Sequence, residues 1–137
     1  PYTTLFRSSS DLMSADQMRK RFFAVLRDIH GTLPDQHRRR FPTSESLRKQ
    51  ALIAVGWCDV MTVLAGSKSA GPGLAAAFKT LDRYCIVDIR GNVLTVYRAK
   101  SMSRPVLLKP QFLDVSQKVF DWIYQQTGID PAMSEAA

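Results

Sequence analysis

The fold is decided by residues 14–31, S-A-D-Q-M-R-K-R-F-F-A-V-L-R-D-I-H-G, which carry a helical pattern from end to end. Ser14 and Gln17 have the spacing of a capping box, in which each side chain bonds the other residue's backbone amide. Gly31 marks the end of the helix. Apolar residues recur at intervals of four, three and four, so they share one face that must be buried. The residues on this face are Met18, Phe22, Val25 and Ile29, widened by Phe23 and Leu26.

Positive charge is concentrated in this helix and in the segment that follows it. Nine lysines and arginines face three acidic residues from Arg19 to Lys49, a net charge of +6, in a chain of 137 residues with a net charge of +7. Within the helix, the cations fall outside the apolar stripe: Arg19, Lys20, Arg21 and Arg27. Such a localised field favours a partner that carries negative charge, such as nucleic acid.

The next segment combines a basic connection with a second helix. Pro34 and Pro42 bracket a polar stretch whose three consecutive arginines, Arg38 to Arg40, repel one another, so we expect them to be solvated and mobile. Thr43 or Ser44 begins the second helix, which ends before Gly56. The predicted inward face of that helix consists of Leu47, Ala51, Ala54 and Val55, with Leu52 and Ile53 extending it.

The second half of the chain reads as short strands and helices. A strand is predicted over 57–65, a flexible surface loop over 66–73 and one or two helical turns over 74–81. The sequence R-G-N joins two further strands, 84–89 and 93–98, as a hairpin. A final helix is predicted from Pro110 to about Thr127. The core face of that helix consists of Phe112, Val115, Val119 and Ile123, joined by Leu113, Phe120 and Tyr124.

This order of elements predicts an α+β fold. With a further edge strand over 2–7, we expect a small, mainly antiparallel sheet with about three main helices packed on one side. The length is that of one domain, 1–137. That domain divides into a basic helix-loop-helix region (14–56), a region of strand, hairpin and C-terminal helix (57–128) and a flexible tail (129–137).

Several functional classes are disfavoured by what the sequence lacks. There is no apolar run of 18 residues to cross a membrane and no signal-peptide pattern, so we expect a cytoplasmic protein. Cys58 and Cys85 lie in separate apolar segments without a CxxC or CxxH pattern, which predicts two buried free thiols. His30 and His37 belong to no HExxH or similar motif. We therefore expect no enzyme activity, no metal and no cofactor.

Nucleic-acid binding requires cations for phosphates and flat groups on which bases stack. The predicted binding residues are Arg19, Lys20, Arg21, Arg38, Arg39, Arg40, Arg48, Lys49 and Lys100, with Arg104 close to the last of these. The aromatic candidates near them are Phe41, Trp57 and Tyr97. This composition predicts contact with the backbone and does not indicate base-specific recognition.

Three pieces of the chain are similar to one family. The segment S-A-D-Q-M-R-K-R-F-F-A-V-L-R-D-I resembles the first helix of the phage NinB, or Orf, recombination-mediator family and related phage proteins. R-A-K-S-M-S, followed by K-P-Q-F-L-D-V-S-Q-K-V-F-D-W-I, is similar to the K-S-x-S element and last helix of that family, although the spacer R-P-V-L-L-K-P is longer here. E-S-L-R-K-Q-A-L-I-A-V-G-W resembles the middle helix of related phage proteins, and the order of the pieces agrees.

The resemblance implies a homodimeric α+β protein that binds single-stranded DNA through a basic surface and assists phage recombination by loading or exchanging strands over single-strand-binding protein, with a host single-strand-binding protein as a partner. It implies no catalysis and no cofactor. Two alternatives stay open. The same basic cluster suits a phage-encoded inhibitor that binds an acidic surface of a host defence protein. The stretch Y-C-I-V-D-I-R-G-N-V-L-T-V-Y-R resembles the hairpin of a RelE-type ribonuclease toxin, although such toxins are shorter and have no long helical N-terminal half.

Overall fold

The computed structural model describes residues 14–103 and 107–137, and its architecture is α+β, as predicted. The helices are α1 (Ala15–Gly31), α2 (Asp35–Arg40), α3 (Ser44–Ala54), α4 (Gly71–Leu81) and α5 (Lys109–Thr127). The strands are β1 (Cys58–Leu64), β2 (Ile86–Arg90) and β3 (Val93–Ala99), and short 3₁₀ turns occupy Lys68–Ala70 and Pro131–Met133. The predicted strand over 2–7, together with Arg104 and Pro105, lies outside the described residues.

Helix α1 forms as the sequence predicts. Ser14 Oγ accepts a hydrogen bond from the Gln17 amide at 3.2 Å, and the Gln17 side chain accepts one from the Ser14 amide at 2.9 Å. The capping box is therefore complete. The side chains that α1 buries are the predicted stripe and one of its two predicted neighbours: Met18, Phe22, Val25, Leu26 and Ile29. Phe23, the other neighbour, is half-buried.

The main core is formed by the helices. Side chains of α1, α3 and α5 make one buried cluster that also includes Phe41, Met102 and Leu107. The ring centroids of Phe22 and Phe112 are 5.5 Å apart in an edge-to-face arrangement.

On α5 the four main residues of the predicted core face and Phe120 are buried, but the prediction is wrong at Tyr124, which is exposed, and Leu113 is only half-buried. On α3 the prediction is wrong at Ala54, which is exposed, because the buried stripe passes through Leu52 instead.

The three strands form an antiparallel sheet in the order β1-β3-β2. The β2–β3 hairpin turns at Gly91, whose φ of 63° is a conformation that residues with a side chain rarely adopt. Leu94 and Val96 are buried on one face of β3, and Gly71 of α4 packs close to Leu94 on that face.

The opposite face of the sheet leaves Val60 and Leu64 of β1 exposed, and among the described residues of that face only Ala99, at the end of β3, packs against the helical core. The helices therefore lie mainly on one side of the sheet, as predicted.

Two connecting segments are more ordered than the sequence suggests. The arginine-rich connection contains the short helix α2, which is held by burial of Phe41 and by a 2.8 Å hydrogen bond between His30 Nε2 and the Phe41 carbonyl oxygen. The predicted loop over 66–73 already contains the first turn of α4, with Pro72 in that first turn. The mobile connection and the long loop were therefore wrong predictions.

The end of the chain folds back on α1. Gly128 ends α5 with a φ of 72°, the left-handed conformation of a helix C-cap. Beyond it, Ser134 Oγ donates to Asp28 Oδ2 at 2.7 Å, and the Ala136 amide donates to the same oxygen at 3.2 Å. Residues of the predicted flexible tail thus have defined contacts with the first helix.

Candidate nucleic-acid interface

Two cations contact one carboxylate on the exposed side of α3, and a third is linked to it through a tyrosine hydroxyl. Glu45 Oε1 lies 3.5 Å from Lys49 Nζ and 3.9 Å from Arg48 Nη2. The Tyr84 hydroxyl donates to Glu45 Oε2 at 3.3 Å and accepts a hydrogen bond from Arg83 Nη2 at 2.6 Å. Asp82 lies near Lys49 and pairs with Arg98, so two carboxylates face four cations and this part of the surface has an uncompensated positive charge.

Two further cations lie in grooves next to the Glu45 cluster. Arg27 of α1 lines a groove of about 340 Å³ that also contains Phe23, Glu45 and Arg48. Lys79 of α4 lines a second groove of about 240 Å³, with Arg83 and Tyr84 in its wall. We call this region the α3 basic surface and define it by seven residues besides Glu45: Phe23, Arg27, Arg48, Lys49, Lys79, Arg83 and Tyr84.

Aromatic rings are interleaved with these cations. The Arg48 guanidinium carbon lies 5.3 Å from the centroid of the Phe23 ring. Lys49 Nζ and the Arg83 guanidinium carbon each lie 4.8 Å from the centroid of the Tyr84 ring. These separations are those of cation–π contacts, which hold the charged groups in defined positions.

Arg48 is the most enclosed of these cations, with 18% of its side chain exposed. Burial lowers the pKa of its guanidinium, and the nearby Glu45 and Tyr84 offset this effect only in part. Arginine nevertheless stays charged at neutral pH. Arg48 is partly desolvated and its carboxylate partner is 3.9 Å away, so a second anion would stabilise its positive charge. A phosphate oxygen can serve as that anion.

The position of Arg83 is set by a tight turn between α4 and β2. Asp82 Oδ1 accepts from the Tyr84 amide at 3.1 Å, and Asp82 Oδ2 accepts from Arg98 Nε at 3.2 Å. Partial burial raises the pKa of Asp82, but the hydrogen bonds from Arg98 and Tyr84, with the charges of Lys49 and Arg98, outweigh it and lower the pKa overall. The ionised Asp82 thus fixes the turn that presents Arg83.

Two of the predicted binding arginines have structural contacts instead of open positions. Arg19 was expected to lie outside the apolar stripe, but its Nε donates to the Met102 carbonyl at 3.0 Å and its Nη2 to the Leu107 carbonyl at 2.6 Å. Arg38 donates to the carbonyls of Leu33 at 2.9 Å and Gly31 at 2.8 Å, at the end of α1. These hydrogen bonds explain why neither side chain extends freely into solvent.

The rest of the arginine triplet is divided. Arg40 Nη1 donates to Gln126 Oε1 at 2.7 Å, and its guanidinium carbon lies 5.3 Å from the centroid of Trp122. Arg39 is exposed. The expectation that all three arginines are mobile was therefore wrong for Arg38 and Arg40, because both find acceptors on neighbouring helices.

The structure brings Arg48 and Lys49 of the prediction together and places Lys100 in a different environment. Lys100 Nζ lies 4.0 Å from Asp59 Oδ1 and 5.1 Å from the centroid of Trp57, at the start of β1. On α1, Lys20 is exposed and Arg21 is half-buried. Lys20 precedes Phe23 by three residues and therefore lies on the same side of the helix as the α3 basic surface.

The aromatic candidates also change. Phe41 is fully buried and contributes to the core, so it cannot be a platform for bases. Trp57 is half-buried and its indole nitrogen donates to the Ser101 carbonyl at 3.1 Å. Tyr97 is half-buried in β3. The rings that lie among the cations of the α3 basic surface are Phe23 and Tyr84, of which the first was assigned to the core and the second to a strand.

Sequence reasoning missed Lys79, Arg83 and Tyr84 as site residues, and it treated Arg27 only as an off-stripe cation. A local signal was present in the chain at D-R-Y, residues 82–84, where an arginine and an aromatic residue follow a helix directly. Their meeting with α3 depends on the fold, because Glu45 and Tyr84 are far apart along the chain.

The chain matches no family model, and no curated protein or solved structure is significantly similar to it. The resemblance to the NinB family thus stays a prediction. No helix in the described part of the chain has the length and apolar character needed to cross a bilayer. Within residues 14–103 and 107–137, no group of three or more His, Cys, Asp or Glu is arranged to hold a metal ion. Cys58 and Cys85 are free thiols whose pKa values are raised, chiefly by burial.

Proposed function

We propose that this protein binds single-stranded DNA through the α3 basic surface, without base specificity and without a catalytic step. The observation that carries the proposal is the cluster of Arg48 and Lys49 on the Glu45 carboxylate, joined by Arg83 through the Tyr84 hydroxyl. Arg27 and Lys79 extend the same positive field on either side of it. A polyanion supplies the negative charge that this surface lacks.

The arrangement suits a strand more than a compact anion. The cations come from α1, α3, α4 and the turn before β2, so they are spread over several elements instead of enclosing one point. Grooves on both sides of Glu45 give a phosphate backbone a path between them. Aromatic rings beside the cations offer stacking surface to unpaired bases. The spread cations and grooves favour an extended polyanion, and the rings favour a strand with unpaired bases.

The wider role proposed here follows from the sequence resemblance. It is that of a cytoplasmic recombination mediator of phage origin, which acts as a homodimer and displaces or accompanies a host single-strand-binding protein. The basic surface suits this role because a mediator must contact DNA backbone of any sequence. These further proposals depend on DNA binding, which is therefore the first property to test.

The test is titration of a fluorescent oligonucleotide of mixed sequence at several salt concentrations. Five phosphate contacts predict a slope of about −3.5 in a plot of log K against log salt, since each contact on a single strand contributes about −0.7. Binding with a slope of this size supports the proposal. Absence of binding near about 50 mM salt, where phosphate contacts are strongest, overturns it.

A further inference from the structure

We propose that Arg83 is a base-stacking residue: its guanidinium, held by Tyr84, is the platform on which one unpaired base of the bound strand stacks. The inference rests on the proposed DNA binding and deepens it, because it names the residue that makes an unpaired strand the preferred ligand. It concerns a side chain outside the set that the sequence indicates.

The guanidinium is held in place on one side. Its Nη2 donates to the Tyr84 hydroxyl at 2.6 Å, and its central carbon lies 4.8 Å from the centroid of the same ring. Tyr84 is itself fixed by Lys49 on the ring and by its hydroxyl bond to Glu45. A side chain held at two points loses little further freedom when a ligand arrives.

The guanidinium is open on the other side. Arg83 is exposed at the tip of the turn that Asp82 fixes, and no ion pair joins it to a carboxylate within the described residues. A base that stacks on an exposed face of the guanidinium displaces no contact of the folded protein. Arginine planes and aromatic rings are the surfaces on which proteins stack unpaired bases.

The groove beside Arg83 can hold the phosphate of the nucleotide whose base stacks on Arg83. Lys79 lines that groove with Arg83, and Lys49 approaches the Tyr84 ring from α3. A nucleotide whose base covers Arg83 can therefore place a phosphate near a lysine. Bases of a duplex are paired and stacked on one another, so a duplex offers these cations its phosphates only.

The deciding variant is Arg83→Lys, which keeps the positive charge and removes the planar group. Affinities are measured for a single-stranded oligonucleotide and for a duplex of the same length, at one salt concentration. We expect single-strand binding to weaken about 5- to 10-fold, the lower part of the range for loss of a stacked base, while duplex binding changes less than about twofold. Because the charge is kept, the salt slope does not change.

A matched control and a second readout separate stacking from folding effects. Arg39→Lys makes the same replacement at another exposed arginine and is expected to leave both affinities unchanged. An oligonucleotide that carries 2-aminopurine loses fluorescence when this base stacks, so the quenching seen with the wild-type chain should be reduced by Arg83→Lys. Thermal unfolding of the variant should match that of the wild type, since the side chain is exposed.

The outcomes distinguish this inference from the proposed function. Wild-type binding together with unchanged single-strand affinity of Arg83→Lys overturns the stacking role and leaves the proposed function standing. Equal weakening of single-strand and duplex binding also overturns it, because removal of a phosphate partner affects both ligands. No binding by the wild-type chain overturns the proposed function and the stacking role together.

Discussion

The arginines that donate to backbone carbonyls and the cations of the α3 basic surface have the same charge and different hydrogen-bond partners. Arg19 and Arg38 donate to backbone carbonyls of their own chain, whereas Arg48 and Lys49 share the Glu45 carboxylate and Arg83 reaches it only through the Tyr84 hydroxyl. The comparison teaches that a count of basic residues overestimates a binding surface. Candidate DNA-binding cations are those that lie in a group whose total positive charge exceeds the negative charge of the nearby carboxylates.

The largest effect that this comparison predicts is on stability. Arg19→Ala removes two hydrogen bonds from a charged donor and the contact of its guanidinium with the Phe112 ring, at 5.0 Å. We expect the free energy of unfolding to fall by about 2–3 kcal/mol, since two carbonyls lose their partner. Denaturant unfolding measures this decrease.

The neighbouring exposed Lys20 supplies the control, and Lys20→Ala should change stability by no more than about 0.5 kcal/mol. DNA binding by folded Arg19→Ala should keep the wild-type salt slope. A variant of wild-type stability whose slope falls by the value of one phosphate partner would show instead that Arg19 belongs to the binding surface.

A double substitution tests the α3 basic surface. Arg27→Gln with Lys49→Gln removes two cations that border Glu45 from opposite sides. The salt slope should fall in magnitude by about 1.4, and affinity near 50 mM salt should weaken about tenfold, because two phosphates no longer have a cationic partner. Fluorescence anisotropy at four or more salt concentrations gives both quantities.

The matched control removes two cations that already have carboxylate partners elsewhere. Arg90 pairs with Asp88 at 3.1 Å and Lys118 with Asp114 at 3.0 Å. Arg90→Gln with Lys118→Gln lowers the net charge equally and should leave the slope within the error of the wild type. Equal weakening in the two double variants would mean that total charge, and not its position, governs binding.

Local signals explain what the sequence could predict of this molecule. The predicted and observed bounds of α1 agree because the capping box, the apolar periodicity and the terminal glycine all lie within residues 14–31. Helix α4 was assigned too late a start, because G-P-G reads as a turn until Gly71 packs beside Ile89 and Leu94. The binding site shows the same limit, since adjacent Arg48 and Lys49 were found while Tyr84, brought to them by the fold, was not.

A smaller effect is expected at the turn that presents Arg83. Asp82→Asn weakens the hydrogen bonds with Arg98 and with the Tyr84 amide, so the free energy of unfolding should fall by about 1 kcal/mol at pH 7. The pKa of Asp82 is lower in the folded chain than the ordinary value of about 3.9. Its contribution is therefore complete above about pH 4 and disappears as the pH falls through the folded-state pKa.

Unfolding measured at pH 7 and near pH 3 checks the sign of this effect. The difference in the free energy of unfolding between the wild type and Asp82→Asn should be smaller near pH 3 than at pH 7. Asp88→Asn is the matched control, because Asp88 and Arg90 form an exposed pair that contributes less than about 0.5 kcal/mol. A gap that widens on acidification would contradict the role of the ionised Asp82.

The smallest effect is expected within the arginine triplet, where both kinds of surroundings occur side by side. Replacing all three arginines at once would combine a loss of stability, from the Arg38 hydrogen bonds at the end of α1, with a loss of positive charge. Each position therefore needs its own variant. Arg38→Ala should lower the free energy of unfolding by about 1 kcal/mol, less than Arg19→Ala, because Arg38 is exposed and water can replace its donors at the two carbonyls. Arg39→Ala should leave stability unchanged and reduce the magnitude of the salt slope by less than about 0.7, the value of one phosphate partner. If Arg39→Ala reduced the magnitude of the salt slope by the full value of about 0.7 for one phosphate partner, Arg39 would belong to the DNA-binding surface, which would then extend from α3 to α2.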